Sequence, residues 1–326
     1  MSTQDTNHDM DKEKLYPWLK PQLEDFAQRL KDNTLHHAIL CVDEPNGSGN
    51  ALAVALSKKV LCLGTDNSQA CNRCKSCMLF NAQSHPDFHE VSTEKTQIGV
   101  DAVRIAIEQV NKTAQLGGNK VVLIQDIERM SESASNALLK TLEEPTAHTF
   151  LVLSTHAVQY ILATILSRCE KVRVTRPSYE QSIDYLREIG VAPSRLPTKD
   201  ELAAYQHSPI SFLAATDKND GSSNTAANMS YAAFKQDFSE LSSGSLSAEA
   251  LARKWQDSAQ EAVNWTSQLA LLRLSQALQS TIDQNREVVG TNWMSLYDEA
   301  TRAGKKLRQA GLNKVLILSA LFSKVP

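Results

Sequence analysis

The sequence predicts an α/β domain with a parallel sheet in its first half and an all-α second half. Short apolar runs alternate with helical patterns up to about residue 176, and Val121–Ile124 is one such run. Continuous runs of this kind are typical of parallel strands that helices cover on both faces. After Pro177 the strand signal fades, and helical patterns continue through the rest of the chain.

Each element of the first half has its own signal. Apolar residues recur at three- and four-residue spacing at Val100, Val103, Ile107, Val110 and Ala114, which predicts a helix that buries this stripe. In chain order, the other predicted elements are a strand at Ala38–Val42, a helix at Ala51–Leu61, strands at Phe88–Val91 and Val121–Ile124, a helix at Ser133–Glu144 stopped by Pro145, a strand at Phe150–Ser154 and a helical stretch at Ile161–Leu166.

The second half divides at a polar segment. Residues 217–229 are rich in Ser, Asn, Gly and Asp, which is typical of a linker or a disordered loop. The sequence therefore predicts four parts: an α/β domain over 1–177, a small helical domain over 178–216, this linker, and a helical domain over 230–326. In the last of these, Trp265, Leu269, Leu272 and Gln276 lie along one predicted helix.

Composition and charge restrict the function. The net charge is −3, whereas a protein that holds DNA by itself usually carries a basic surplus, so any nucleic-acid contact is expected to be local or shared with partners. The basic stretch Lys305, Lys306, Arg308 and Lys314 is more typical of a solvated helix face. No apolar stretch approaches the length of a membrane span, and Met1–Lys14 has no apolar core of a signal peptide, so we expect a cytoplasmic protein.

A glycine-rich loop follows the first predicted strand. A phosphate-binding loop has the pattern G-x-x-x-x-G-K-[ST], in which Lys neutralises phosphate and the hydroxyl holds magnesium. Here Glu44 stands at the first Gly, Gly49 at the second, Asn50 at the Lys and Ala51 at the Ser/Thr. A short motif of this kind can also be a plain flexible turn. The strand–loop–helix order favours a phosphate-binding loop that has lost its chemistry.

The strand at Val121–Ile124 shows a matching loss. An ATPase of this architecture ends that strand in Asp-Glu, where Asp supports magnesium and Glu activates water. Here the strand runs into Gln125 and Asp126. Gln is a poor magnesium support, and Asp126 is shorter than the Glu it replaces. Two matching losses in one chain indicate a nucleotide site that no longer works.

Four of the six cysteines form a cluster with the spacing C-x8-C-x2-C-x2-C: Cys62, Cys71, Cys74 and Cys77. In a reducing compartment such a cluster indicates a metal rather than disulfides. Four thiolates suit a structural zinc ion, and the module is predicted at about residues 62–82. An iron–sulfur cluster is the alternative, but the usual fourth Cys followed by Pro is missing downstream. His85 is a further possible ligand.

One basic residue could still meet phosphate. Arg168, in Ser167-Arg168-Cys169, follows the helical stretch near the end of the α/β domain. A guanidinium can fork onto phosphate oxygens. In a domain that binds no nucleotide, such an Arg has no phosphate of its own, and it could instead reach the nucleotide of a neighbouring subunit as an arginine finger in trans. The alternative is an ordinary surface Arg in a salt bridge.

Taken together, these motifs resemble the bacterial clamp-loader AAA+ family, and within it the delta-prime branch of DNA polymerase III. The resemblance is specific from about residue 15 to 177 and diffuse afterwards. It is carried by the cysteine cluster, Tyr16–Leu19, His36–Ala38, Gly99–Arg104, Asn136–Pro145 and Ser167–Cys169.

The resemblance implies an AAA+ P-loop-type parallel-sheet domain with a zinc-binding insertion, a small helical lid and a helical collar that oligomerises. It also implies that Cys62, Cys71, Cys74 and Cys77 bind zinc and that Arg168 serves the ATP of an adjacent motor subunit. The implied partners are gamma/tau-type motor subunits and delta in a hetero-pentamer, which loads the sliding clamp onto primed DNA. In His207–Ile210, Ile210 stands where motor subunits carry a lid-domain Arg that contacts nucleotide, which is a third loss.

The function that follows is a non-hydrolysing clamp-loader subunit that acts as scaffold and trans-activator. By itself it is expected not to be an enzyme and to bind no ATP, although it is part of a DNA polymerase holoenzyme and so of a nucleotidyltransferase complex. An active ATPase motor would need Lys at Asn50 and Ser or Thr at Ala51. The remaining alternative is a stand-alone zinc nucleic-acid-binding module.

Overall fold

The computed structural model describes residues 15–44, 47–64, 69–91, 97–217, 230–279, 286–307 and 311–326. The chain divides into two compact units, Met1–Gln181 and Ser182–Pro326. Residues 218–229, which make up most of the predicted linker, lie outside the described residues, as do Met1–Lys14 and Arg308. No helix among the described residues is long and apolar enough to cross a membrane.

The first unit contains a five-stranded parallel sheet with the strand order β2-β3-β4-β1-β5. The four predicted strands are confirmed, and every residue of the strand that contains Val121–Ile124 is buried. A fifth strand pairs with β1 at the edge. The strands are β1 (Ala38–Val42), β2 (Phe88–Val91), β3 (Lys120–Ile124), β4 (Thr149–Thr155) and β5 (Glu170–Arg173).

In the described part of the first unit, six helices accompany this sheet. The apolar faces of α4, α5 and α6 and one face of the sheet form a continuous core, in which Leu40, Val122 and Leu153 have no exposed surface. The helices are α1 (Lys20–Lys31), α2 (Gly49–Leu61), α3 (Lys75–Asn81), α4 (Val100–Val110), α5 (Glu132–Glu143) and α6 (Ala163–Leu166).

The predicted stripe on α4 is one residue too long. The helix ends at Val110, so Ala114 lies beyond it. After the helix, two buried charged side chains hold the chain in a path that is not helical. The carboxylate of Asp87 accepts hydrogen bonds from the N–H groups of Gln115 (2.7 Å) and Leu116 (3.0 Å), and the Nζ of Lys120 donates to the carbonyl oxygen of Val110 (2.6 Å).

The second unit is helical throughout its described residues, as predicted. Its core is aromatic: the rings of Phe234, Trp255 and Trp265 lie 5.2–5.6 Å apart, and the buried carboxylate of Asp237 accepts a hydrogen bond from Trp255 Nε1 at 2.8 Å. Its division into a lid and a collar stays a prediction. The remaining helices are α7 (Tyr179–Glu188, which spans the boundary of the units), α8 (Lys199–Ala204), α9 (Pro209–Asp217), α10 (Tyr231–Ser242), α11 (Ala248–Lys254), α12 (Ala259–Gln279), α13 (Arg286–Leu307) and α14 (Lys314–Phe322).

Candidate functional site

The loop between β1 and α2 has the predicted strand–loop–helix order, and a carboxylate of the chain itself lies inside it. Asp43 follows β1 directly, and its Oδ1 accepts a hydrogen bond from the N–H of Glu44 at 2.8 Å. Burial raises the pKa of Asp43, while the N–H groups of Glu44, Gly49 and Ser48 and the charge of Arg176 act to lower it. Backbone N–H groups of this kind face phosphate in a working loop.

The glycines of the loop fit this internal anion closely. A Cβ atom at Gly47 would lie 2.2 Å from Asp43 Oδ2, and one at Gly49 would lie 2.9 Å from Asp43 Cβ. Any side chain at Gly47 would therefore displace the carboxylate. Glu44, at the position of the first Gly of the motif, forms an ion pair with Arg176.

Two polar side chains fix the loop to its surroundings. Asn50, at the Lys position, accepts a hydrogen bond from Ser154 Oγ of β4 at 2.5 Å, and its side chain also acts to lower the pKa of Asp126. On the other side, Nε1 of the buried Trp18 donates to Ser48 Oγ at 3.0 Å, and Tyr16 stacks on Trp18 with ring centroids 4.9 Å apart. Groups of the protein itself thus anchor the loop on both sides.

A cluster of charges lies beyond the carboxyl ends of β3 and β4. His156 Nδ1 lies 2.7 Å from Glu128 Oε1 and 3.7 Å from Asp126 Oδ1. The carboxylates of Asp126 and Glu128 raise the pKa of His156 to about 9, because they favour the imidazolium. The same contact with His156 is the main cause of the lowered pKa of Asp126. Arg129 adds a second positive charge 3.9 Å from Asp126.

This cluster occupies the edge where an ATPase would hold magnesium. The ligand atoms of Asp126, Glu128 and His156 lie within 4.8 Å of one another. With His156 protonated, the cation that faces the two carboxylates is supplied by the chain. Asp126 was among the residues predicted from the sequence, whereas Glu128 and His156 were not. The available signal was their position, since His156 follows β4 directly and the carboxyl ends of parallel strands meet at one edge of a sheet.

The four clustered cysteines form a candidate metal centre. Their sulfur atoms all lie within 4.8 Å of one another, and the Cys62–Cys74 and Cys71–Cys77 pairs are each 4.0 Å apart. A tetrahedral zinc ion with Zn–S bonds of about 2.3 Å needs sulfurs about 3.8 Å apart. The six cysteines of the chain are free thiols. The four clustered residues therefore fit a metal site with four thiolate ligands.

Local structure prepares these sulfurs for a cation. Cys74 caps α3, and its sulfur accepts the N–H of Cys77 at 3.4 Å. Hydrogen bonds from the N–H groups of Arg73 and Cys74 lower the pKa of Cys71 to about 6. A Cβ atom at Gly64 would lie 3.1 Å from Cys71 Cβ and 3.2 Å from its sulfur, so glycine allows the two chain segments to meet.

His85 supports this module but is not placed among its sulfurs. Its Nε2 lies 2.8 Å from Ser76 Oγ, which donates to the carbonyl oxygen of Leu61 at 2.6 Å. Its Nδ1 accepts the N–H of Asp87 at 3.1 Å, so the Nε2 carries the proton in the neutral ring. His85 thus links the cysteine module to the end of α2 and the start of β2.

Arg168 lies just after α6, at the surface of the first unit. Its side chain is 34% exposed. Nη1 donates to the carbonyl oxygen of Thr164 at 2.9 Å, and Nη2 forms an ion pair with Glu143. The guanidinium is therefore ordered and still partly accessible, which both of the alternatives for this residue require.

Comparisons with known proteins agree with this architecture. Residues 18–178 match the model of the family described as "DNA polymerase III, delta subunit". The chain is 41% identical over 174 residues to DNA polymerase III subunit delta' of Haemophilus influenzae (53% of each chain) and 38% identical over 184 residues to that of Escherichia coli (56% of this chain, 55% of the relative). It thus spans about half the length of the curated relatives it matches.

Among solved structures, a gamma subunit-related protein of DNA polymerase III from Thermotoga maritima is similar with a TM-score of 0.44 and 20% identity, over 93% of this chain and 97% of that one. A likeness at this level carries no functional inference. The matched region holds the sheet, the cysteines and Arg168. Over residues 18–178, the chain is thus similar to the bacterial DNA polymerase III delta-prime subunits.

Proposed function

We propose that this chain is a non-hydrolysing subunit of a bacterial clamp loader. Its roles are to scaffold the assembly and to supply Arg168 in trans to the ATP of a neighbouring motor subunit. The observation that carries the proposal is the contrast between the two phosphate-related features. The nucleotide loop faces the carboxylate of Asp43, whereas the guanidinium of Arg168 is ordered and accessible.

Several contacts support the absence of ATP on this subunit. Phosphate at the loop would meet the negative charge of Asp43, and Asn50 supplies no positive charge. Magnesium at the sheet edge would compete with the imidazolium of His156 for Asp126 and Glu128. Ile210, at the start of α9, offers no charge where a motor subunit has Arg. Each of these groups replaces a contact that nucleotide needs.

We propose a structural zinc ion for Cys62, Cys71, Cys74 and Cys77. Four sulfur ligands close a tetrahedron and leave no open position for substrate, so the ion would stabilise the module at residues 62–82 rather than perform chemistry. A dication would also neutralise thiolates that lie this close together. It would in particular favour loss of the proton from the Cys77 thiol, because burial raises the pKa of that thiol.

The proposed partners follow from the family. The chain would assemble with gamma/tau-type motor subunits and delta in a hetero-pentamer in the cytoplasm, and it would meet the sliding clamp and primed DNA through that assembly. An α/β domain over 1–177, a lid over 178–216 and a collar over 230–326 would serve this assembly. A stand-alone zinc nucleic-acid-binding module is the alternative, which the net charge of −3 disfavours.

Reconstitution tests the proposal. The purified chain is mixed with motor and delta subunits, and assembly and clamp-stimulated ATP turnover are measured with and without it. We expect no turnover by the chain alone, and full turnover and clamp loading only when it completes the complex. Tight, steeply salt-dependent DNA binding by the chain alone, with no effect on the motor subunits, would favour the alternative module.

A further inference from the structure

The contacts of Arg168 come from two different parts of the first unit. Thr164 and Ser167, which face Nη1 at 2.9 and 3.3 Å, belong to the turn that carries Arg168 itself. Glu143, which pairs with Nη2, is the last residue of α5. Glu143 is therefore the partner that ties the guanidinium to a separate helix.

Both helices are held by the core, so this tie has a fixed geometry. Leu138 and Leu142 of α5 and Ile165 of α6 are at most 1% exposed and belong to the same buried cluster. Glu143 extends from the end of a helix that cannot shift without opening this core. An ion pair anchored on such a helix sets the direction of a side chain, although half-exposed pairs add little to stability.

We infer that Glu143 is a positioning residue for Arg168: it holds the guanidinium so that its remaining N–H groups are presented to the phosphate of a neighbouring subunit. This inference rests on the proposed function of Arg168. The Nε–H of Arg168 has no partner among the described residues, and Nη2 meets only one carboxylate oxygen there. Donors on the Nε–Nη2 edge of the guanidinium therefore stay available, while the hydrogen bonds of Nη1 and the ion pair with Glu143 fix the plane of the group.

The benefit of such a contact lies in the transition state. A group that stabilises developing charge is most effective when it is already oriented, because no reorganisation is then needed during the reaction. Long Arg side chains have many rotamers, and contacts such as the ion pair with Glu143 limit them. Loss of Glu143 should therefore lower the turnover of the assembled loader without lowering its affinity for ATP.

The matched pair of variants is Glu143→Gln and Glu144→Gln. Both remove one negative charge from neighbouring, exposed residues at the end of α5, but of the two only Glu143 pairs with Arg168. At equal assembly, Glu143→Gln should reduce kcat for ATP to a value between those of the wild type and Arg168→Ala, with KM unchanged. Glu144→Gln should match the wild type.

A double-mutant cycle separates positioning from a general structural role. If Glu143 acts through Arg168, then Glu143→Gln should cause no further loss in complexes that already carry Arg168→Ala. An equal loss in that background, a wild-type rate for Glu143→Gln, or a rate above wild type would overturn the positioning role alone. A wild-type rate for Arg168→Ala would instead overturn the arginine finger, and the positioning role with it.

Discussion

The charge cluster at the sheet edge predicts that the stability of the folded protein depends on pH. His156→Gln leaves Asp126 and Glu128 without the imidazolium that faces them. In the wild type, the pKa of His156 is raised from 6.5 to about 9. The folded protein then binds this proton more tightly than the unfolded chain does. The resulting stabilisation is complete below about pH 6.5 and is lost as the pH rises through about 9.

The size of the effect follows from that shift. At about 1.4 kcal/mol per unit of pKa, the upper limit is about 3.5 kcal/mol. The side chain of His156 is 36% exposed, so solvent screens the interaction and we expect about 1–2 kcal/mol. At pH 7 the variant should therefore be less stable than the wild type by this amount, and the difference should shrink towards pH 9.5.

Hydrogen exchange of the β3 and β4 amides measures this locally, as the free energy of opening from pH 6 to 10. The control is His148→Asn, which removes an exposed histidine just before β4; Asn tolerates the positive φ of 58° at this position. It should show the wild-type pH dependence. If the difference between the wild type and His156→Gln does not change with pH, the imidazolium does not stabilise this edge.

Three further predictions concern the metal, the nucleotide and the loop. Elemental analysis of the purified protein should find about one zinc per chain. Cys74→Ser should remove the zinc and destabilise residues 62–82, since structural zinc contributes on the order of 10 kcal/mol. Iron, or no metal, would contradict this prediction. Calorimetry should detect no ATP binding, and Asn50→Lys with Ala51→Thr should create no ATPase because Asp43 and His156 remain; tight binding by the unmodified chain would refute the lost nucleotide site. Trp18→Phe leaves Ser48 Oγ without its indole donor and should lower the free energy of unfolding of the first unit by about 1–2 kcal/mol, whereas an unchanged stability would show that the contact is dispensable.

The sequence predicted the parts of the fold that depend on apolar patterning. β1 and β3 are continuous buried runs, and both were placed within one residue of their observed bounds. β5 was missed because its residues, Glu170–Arg173, alternate between half-buried and exposed and include three charges. An edge strand of this kind carries charge on its open side and shows no apolar run.

The candidate site was predicted only where it lies within one motif. The cysteine spacing predicted a cluster that the structure brings together, and the losses at Glu44, Asn50 and Ala51 were visible in the sequence. The charged contacts at the sheet edge and around Arg168 were not visible in the sequence. Glu128 and His156 meet only because β3 and β4 are neighbours in a parallel sheet, and the contact between Glu143 and Arg168 depends on the packing of α5 against α6.

The proposed function depends on Arg168, which would complete the active site of a neighbouring subunit. The most direct measurement is the DNA- and clamp-stimulated ATP turnover of the assembled loader with Arg168→Ala, compared with the wild type at equal assembly and equal zinc content. An arginine finger raises turnover roughly 10³–10⁵-fold at the site it serves. The steady-state rate of the complex should therefore fall by the fraction of total turnover that this one site contributes, and clamp loading should fall with it. Arg168→Lys should restore little, because an ammonium cannot fork onto two oxygens. Unchanged turnover and loading in a complex that forms normally would show that Arg168 is only a surface residue.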